Sequence, residues 1–241
     1  MTALLTIERV SKRFRGLTAV DNVSFAVPAG AIFAVIGPNG AGKTTLFNMI
    51  AGTLAPDGGA ITFAGNPIEG LSADAVCRRG IARTFQIVRP FPALTVEDNV
   101  TIGALLHRHD VGAARQRAQE LLRRLDLFDK RQRLASTLTL PDRKRLEVAR
   151  ALATGPQLLL LDEVMAGLRP TETDRMVAIL RELNRDSGLS ILLIEHVMRA
   201  VMALASHVLV LDHGVAIAEG TPDAIVRDPA VVQSYLGAEA V

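Results

Sequence analysis

Residues 37–45 read Gly-Pro-Asn-Gly-Ala-Gly-Lys-Thr-Thr and stand between the all-apolar run Ala31–Ile36 and a helical stretch beginning at Lys43. Glycines in such a loop let successive backbone N–H groups turn inward, and the helix start that follows adds positive potential. The arrangement suits a polyphosphate: Lys43 reaches the β and γ oxygens, and the Thr44 hydroxyl is placed to ligate Mg2+. Gly37, Pro38, Asn39, Gly40, Ala41, Gly42, Lys43, Thr44 and Thr45 are the expected nucleotide-binding residues. A strand that delivers a phosphate loop to a helix points to an α/β fold, with the strand inside the sheet.

The rest of the chain is read around that unit. Strands are expected at Leu5–Val10, Ala19–Val27, Ala60–Ala64 and Ile81–Gln86, with a short helix near Ser72–Arg79 and the loop's own helix running from Lys43 to about Leu54. From about Pro90 to Thr154 the pattern turns helical, with apolar residues at helical spacing over Val111–Asp126 and an amphipathic run over Arg143–Ala153. Strands resume at Leu158–Leu161, Leu189–Ile194 and His207–Leu211, around a helix from Thr171, its expected N-cap, to Asp186. Continuous apolar strands alternating with helices predict a mainly parallel sheet covered on both faces. The segment 90–154 reads as a helical insertion in a core made of 1–89 and 155–241.

Leu158–Leu161 ends in Asp162 and Glu163. By itself a carboxylate pair after a strand reads as a turn or helix cap. Beside a phosphate loop, Asp162 is placed to support Mg2+ and Glu163 to act as general base for water. His196 and Gln86 follow the expected strands Leu189–Ile194 and Ile81–Phe85, at the edge where open α/β sheets bind ligands. Each alone reads as structural, and together they form one constellation.

Composition narrows the partners. With 27 Lys+Arg against 25 Asp+Glu the formal charge is +2, without the concentrated basic stripe of a nucleic-acid binder. Mean hydropathy is positive, at +0.27. The longest apolar candidate, Val197–Leu211, is nevertheless interrupted by Arg199, Ser206 and His207, so no membrane span is expected. The single Cys77 and the absence of a secretory pattern at the N-terminus fit the cytosol.

The order of these elements, phosphate loop, Arg83-Thr84-Phe85-Gln86, helical segment, Leu158–Glu163 and His196, resembles the ATP-binding subunit of an ABC transporter across nearly the whole chain. Ile36–Thr45, Ala82–Gln86, Ile194-Glu195-His196 and Ser234-Tyr235-Leu236-Gly237 are similar to the ATPases of branched-chain amino acid importers, and related cassettes for urea and other solutes share these stretches. The resemblance implies a P-loop NTPase ABC cassette of class α/β, one domain over 1–241. Its RecA-like, mainly parallel core would carry an N-terminal antiparallel β subdomain and the inserted helical subdomain. It implies ATP hydrolysis with Mg2+: Phe14 stacks on adenine, Gln86 contacts Mg2+ or the attacking water, Asp162 supports Mg2+, Glu163 activates water and His196 binds the γ-phosphate. An ordinary buried Phe is the other reading of Phe14. Implied partners are a second cassette, identical or not, arranged head to tail, then transmembrane permease subunits and, indirectly, a solute-binding protein. The implied location is cytoplasmic, on the inner face of the membrane. A DNA- or ribosome-directed ATPase would favour a fused second cassette, a coiled coil or a basic extension, and none is seen.

Two places depart from the family pattern. The signature Leu-Ser-Gly-Gly-Gln aligns with Leu138-Thr139-Leu140-Pro141-Asp142, the stretch expected to face the partner's ATP. Pro141 has no N–H to offer a γ-phosphate, and Asp142 adds negative charge near a polyanion. Val164 stands where Pro is usual, and Arg169 where Asp or Asn is usual. The expectation is a competent phosphate-loop side with a weakened signature, or a regulatory cassette of low turnover. Proline is tolerated at helix starts, which leaves open a backbone adjustment that restores the site. Pro90–Val96 is implied to join a groove for a membrane subunit, with Phe91, Leu94 and Val96 as its apolar floor, or else to pack on its own lobe. The runs Arg78-Arg79, Arg123-Arg124 and Arg143-Lys144-Arg145 read as solvated faces.

Overall fold

The computed structural model describes residues 3–107 and 110–238. In chain order the elements are β1 (Ala3–Phe14), β2 (Leu17–Pro28), β3 (Ile32–Ile36), α1 (Lys43–Ile50), β4 (Gly58–Phe63), β5 (Asn66–Pro67), α2 (Ala73–Arg78) and β6 (Ile81–Arg83). Then come α3 (Val96–Ala104), α4 (Val111–Arg124), α5 (Leu140–Ala153), β7 (Leu158–Asp162), α6 (Pro170–Ser187), β8 (Ser190–Ile194), α7 (Met198–Leu204), β9 (His207–Asp212), β10 (Val215–Gly220), α8 (Pro222–Ile225) and α9 (Pro229–Ala238).

One sheet is antiparallel, in the order β2-β1-β4-β5. The other runs β10-β9-β3-β8-β7-β6, parallel except where β10 pairs antiparallel with β9. Every residue of β3, β7 and β8 is buried, as an interior parallel strand requires. Alternation sorts their side chains into two cores. Ala34, Leu159, Leu161, Ile191 and Leu193 join a core that includes α5, α6 and the apolar faces of α3 and α4. Phe33, Val35, Leu158, Leu160, Leu192 and Ile194 join a second core with α1 and the antiparallel sheet.

Because β3, β8, β7 and β6 are parallel neighbours, their C-terminal ends lie side by side at one edge. Several local boundaries differ from the sequence reading. The strand expected to run to Gln86 ends at Arg83, because the Glu147 carboxylate takes the Phe85 N–H at 2.8 Å and draws the chain out of the ladder. The helix after the phosphate loop stops at Ile50, where Gly52 turns left-handed at φ 71°. Thr171 is not an N-cap: Pro170 opens α6, Arg169 is the capping position, and the Glu172 carboxylate accepts the Arg169 N–H at 2.9 Å. The α5 helix starts at Leu140, three residues before the amphipathic run. The apolar stretch 197–211 divides into α7 and β9. Between Pro90 and α4 lies α3, not anticipated as a helix, capped by the Thr95 hydroxyl accepting from the Asp98 N–H at 3.0 Å. Val96 is fully buried in the core and so is no groove floor, whereas Phe91 is exposed.

Leu160 is fully buried midway along β7, between β6 and β8. Leu160→Ala is expected to cost about 2–5 kcal/mol in urea denaturation, with the m-value unchanged.

Candidate nucleotide site

The loop after β3 depends on two glycines. Gly37 has φ 147° and a Cβ there would fall 2.0 Å from the Leu211 carbonyl oxygen; Gly42 has φ 98° and its Cβ would fall 2.2 Å from that of Ala19. Any side chain would push the loop off β9 or β2. Lys43, the first residue of α1, is buried and its Nζ donates to the carbonyls of Gly37 at 2.7 Å and Pro38 at 2.8 Å. Burial lowers the Lys43 pKa, and the carboxylates of Glu163 and Asp162 oppose that shift. The ammonium is thus held above the loop by neutral acceptors that phosphate oxygens can replace.

Residues 39–45 line an open cleft together with Phe14, Gln86, Glu163 and His213. Phe14 is 45% exposed, with the Lys12 ammonium 5.8 Å from its ring centre, so it is a surface aromatic and not a core residue. His213, in left-handed backbone at φ 46°, was not anticipated from sequence; a residue in the turn after β9 carries no motif.

The strand ends complete the cleft. Asp162 is 1% exposed; its Oδ2 accepts from Arg83 Nη2 at 2.8 Å, while its Oδ1 is buried without a hydrogen-bond partner. Arg83 also donates to Asn48 Oδ1 at 2.6 Å, tying α1, β6 and β7 together. Glu163 leaves β7 at φ 50° with its N–H on the Ile194 carbonyl at 3.0 Å. Its carboxylate meets both other strand-end residues: Oε1 lies 2.5 Å from His196 Nε2, and Oε2 accepts from Gln86 Nε2 at 2.7 Å. Three residues separated by up to 110 positions thus meet at a single carboxylate.

Glu195, to which the sequence assigns no role of its own, is 1% exposed and accepts the Met165 N–H at 2.9 Å. Burial pushes its carboxyl up to about 7; the Met165 and His196 N–H groups and Lys144 oppose this, and the Glu163 carboxylate adds to it. Tyr235, on α9, is half-buried, and burial raises its phenol pKa. Ala230, Gln233 and Ser234 of the same helix line a cavity with Pro38–Ala41, so the C-terminal helix lies beside the loop.

Residues 139–142 do not line this cleft. Thr139 holds the N-cap position of α5 without a side-chain cap bond, Leu140 is 45% exposed, and Pro141 lines a separate small cavity with Leu168, Thr171 and Arg175. Asp142 differs from the expected free charge. It is buried, with Oδ2 accepting from Lys130 at 2.5 Å and Thr139 at 2.9 Å, and Oδ1 from Arg145 at 2.6 Å. Burial opposes its ionisation, but these bonds and the two cations hold its carboxyl below the usual range. The run Arg143-Lys144-Arg145 is likewise not a solvated face, since Lys144 is buried and Arg145 is spent on Asp142.

A phosphate loop after a buried strand, with an acid pair, a glutamine and a histidine at neighbouring strand ends, defines a P-loop ATPase cassette. Residues 20–166 match the ABC transporter family profile, and 217–241 match that of the branched-chain amino acid ATP-binding cassette transporter. The chain belongs to the ABC transporter ATP-binding family: it is an ATP-binding subunit of an ABC transporter, in a family that hydrolyses ATP. It is 40% identical to the high-affinity branched-chain amino acid transport ATP-binding protein LivG of Salmonella typhimurium, over 97% of this chain and 98% of that protein. BraF of Pseudomonas aeruginosa, of the same description, is 37% identical over 97% and 98%. The lipopolysaccharide export ATP-binding protein LptB of Escherichia coli is 37% identical over 98% of each chain. The crystal structure of an ABC transporter cassette in its ADP conformation superimposes with TM-score 0.89 at 31% identity, covering 98% of this chain and 100% of that one. A nucleotide-free cassette gives the same score and identity, over 97% and 99%.

The position of Glu195 makes stability depend on pH. Its folded pKa is raised, so between about 4.5 and 7 the unfolded chain ionises first and stability falls as pH rises through that window. Glu195→Gln removes this dependence. The urea-denaturation stability of the variant relative to the parent is expected to rise by about 2–3 kcal/mol between pH 5 and pH 8.

Proposed function

We propose that this chain powers import of a branched-chain or other hydrophobic amino acid, as one of two cassettes on the inner face of the membrane, docked to separate permease subunits served by a solute-binding protein. The observation that carries the hydrolytic part is the Glu163 carboxylate held between His196 and Gln86 beside the phosphate loop. In this reading ATP lies with its adenine on Phe14 and its β and γ oxygens on Lys43 and the loop N–H groups. Water bound at Glu163 gives its proton to the carboxylate as the γ-phosphoryl transfers, with His196 and Gln86 holding the γ-phosphate and the water.

The residues present fit Mg2+. Asp162 Oδ1 is a buried acceptor without a partner, and the Thr44 hydroxyl and Gln86 amide add hard oxygen donors. Among the described residues no cluster of three or more His, Cys, Asp or Glu could hold a metal by itself, which suits an ion carried largely by phosphate oxygens. When bound there, Mg2+ neutralises charge on the β- and γ-phosphates.

The amino-acid reading is supported by the match over 217–241 and by the relatives named for branched-chain amino acid transport. No described helix is long and apolar enough to cross a membrane, so the route for solute belongs to other subunits. A cavity beside Arg83–Phe85, with exposed Phe85, Phe91 and Ile102 at its rim, supports docking of a membrane subunit there. In proteoliposomes holding the assembled transporter, ATP is expected to drive uptake of a branched-chain amino acid, and Glu163→Gln to abolish uptake and lower kcat by about a hundredfold or more. ATPase activity stimulated by another solute, with no amino-acid uptake, would overturn the import reading.

One observation favours unequal sites in the dimer. The start of α5 offers a partner's phosphate no N–H at Pro141, an apolar Leu140, and an Asp142 and Thr139 already bonded to each other. A lost oxyanion-type donor costs about 3–4 kcal/mol in the transition state. Paired with a cassette whose helix start is intact, the site built on this chain's loop turns over and the opposite site is slow. Inactivating Glu163 is then expected to remove most ATPase activity, and inactivating the partner's equivalent glutamate to remove little. Equal losses would contradict this.

A further inference from the structure

We propose that Lys144 is a positioning residue that couples the start of α5 to the hydrolytic carboxylate, by holding the main chain of Gln86 and Glu163 together. Its Nζ donates to the Glu163 carbonyl at 3.0 Å and to the Gln86 carbonyl at 3.2 Å. These are the two residues whose side chains meet at 2.7 Å, so one ammonium fixes from behind the pair that faces the cleft.

Three observations support this. Lys144 is only 4% exposed, although a lysine in an amphipathic helix can reach water with its head group. Burying an ammonium is costly unless acceptors and counter-charges receive it. Here the direct acceptors are two carbonyls, and the carboxyls of Glu147 and Glu195 are near enough for Lys144 to lower the pKa of each against the rise caused by burial. The bonded carbonyls also belong to irregular backbone. Glu163 holds φ 50°, uncommon for a residue with a side chain, between its N–H on Ile194 and its carbonyl on Lys144. Finally, Lys144 lies little more than one turn along α5 from the Thr139 cap, on the same rigid helix. Displacement of the helix start moves the ammonium, and with it the backbone of Gln86 and Glu163.

The proposal rests on the reading that Glu163 activates water, and the experiment separates the two. In the assembled transporter, ATPase kcat and KM, affinity for a fluorescent ATP analogue, and the denaturation midpoint are measured for Lys144→Met, Lys144→Arg and Glu163→Gln. Lys144→Met is expected to lower kcat by about tenfold to a hundredfold, as small misplacements of catalytic groups do, with analogue affinity within about threefold of the parent. Lys144→Arg, which keeps a charged donor, recovers most of the loss. Should Lys144→Met fail to fold, Lys144→Gln carries the same expectation at smaller amplitude. A Lys144→Met protein with unchanged kcat beside an inactive Glu163→Gln overturns the coupling role alone. So does a kcat loss matched by lost ATP affinity, or one that Lys144→Arg does not relieve. An active Glu163→Gln overturns both.

Discussion

Four neighbouring parallel strands, three of them buried at every residue, end at the same edge of one sheet, and the chemistry of this cassette depends on that constraint. An interior strand such as β7 or β8 has no solvent side on which to carry a polar group, so polar residues enter where the strand stops. Because β3, β8, β7 and β6 run the same way, those stops coincide. Gly37, His196, Asp162 with Glu163, and Arg83 with Gln86 are therefore neighbours in space while scattered along the chain. The same constraint explains the left-handed Glu163, since the chain must leave a packed strand while its N–H still pairs with β8.

Lys43, Lys144, Asp142 and Glu195 are all buried and hydrogen-bonded, but the balance differs between them. At Asp142 the bonds and counter-charges outweigh burial, whereas at Lys43 and Glu195 burial still dominates. Lys43 and Lys144 both rest on carbonyls near the cleft, but to different ends. The carbonyls under Lys43 are those of Gly37 and Pro38 in the phosphate loop, whereas those under Lys144 are the backbone of Gln86 and Glu163. Asp142 is fully engaged by Lys130, Arg145 and Thr139, and Arg145 continues to Asp126, which also pairs with Arg175 of α6. An ionic chain thus links the start of α5 to the exposed side of α6.

That chain changes the meaning of the departures in 138–142. From sequence, Asp142 looks like a charge set against a partner's nucleotide. In the fold it is a neutralised anchor, and the weakness proposed for this surface rests instead on the missing N–H of Pro141, the exposed Leu140 and the internal engagement of Thr139. The cleft and the α5 start are consequently unlike in quality: one carries loop, lysine, acid pair, glutamine and histidine, while the other carries little that an anion can use.

The phosphate loop was readable from residues 37–45 because local geometry demands glycines and a helix start at fixed spacing, and the buried strands were readable because their apolar runs are short and bounded. What could not be read were features created by contacts between distant segments. The end of β6 depends on Glu147 reaching Phe85 from α5, and the N-cap of α6 on Glu172 turning back to Arg169. Arg143-Lys144-Arg145 has the composition of a solvated face, yet Lys144 points inward, because the two carbonyls that attract it lie 58 and 19 residues away. Sequence by itself determined which groups are available for chemistry, since periodicity and loop geometry act over a few residues. Tertiary structure alone decided which of them meet and which charges are neutralised, because hydrogen bonds and desolvation depend on distance in space and not along the chain.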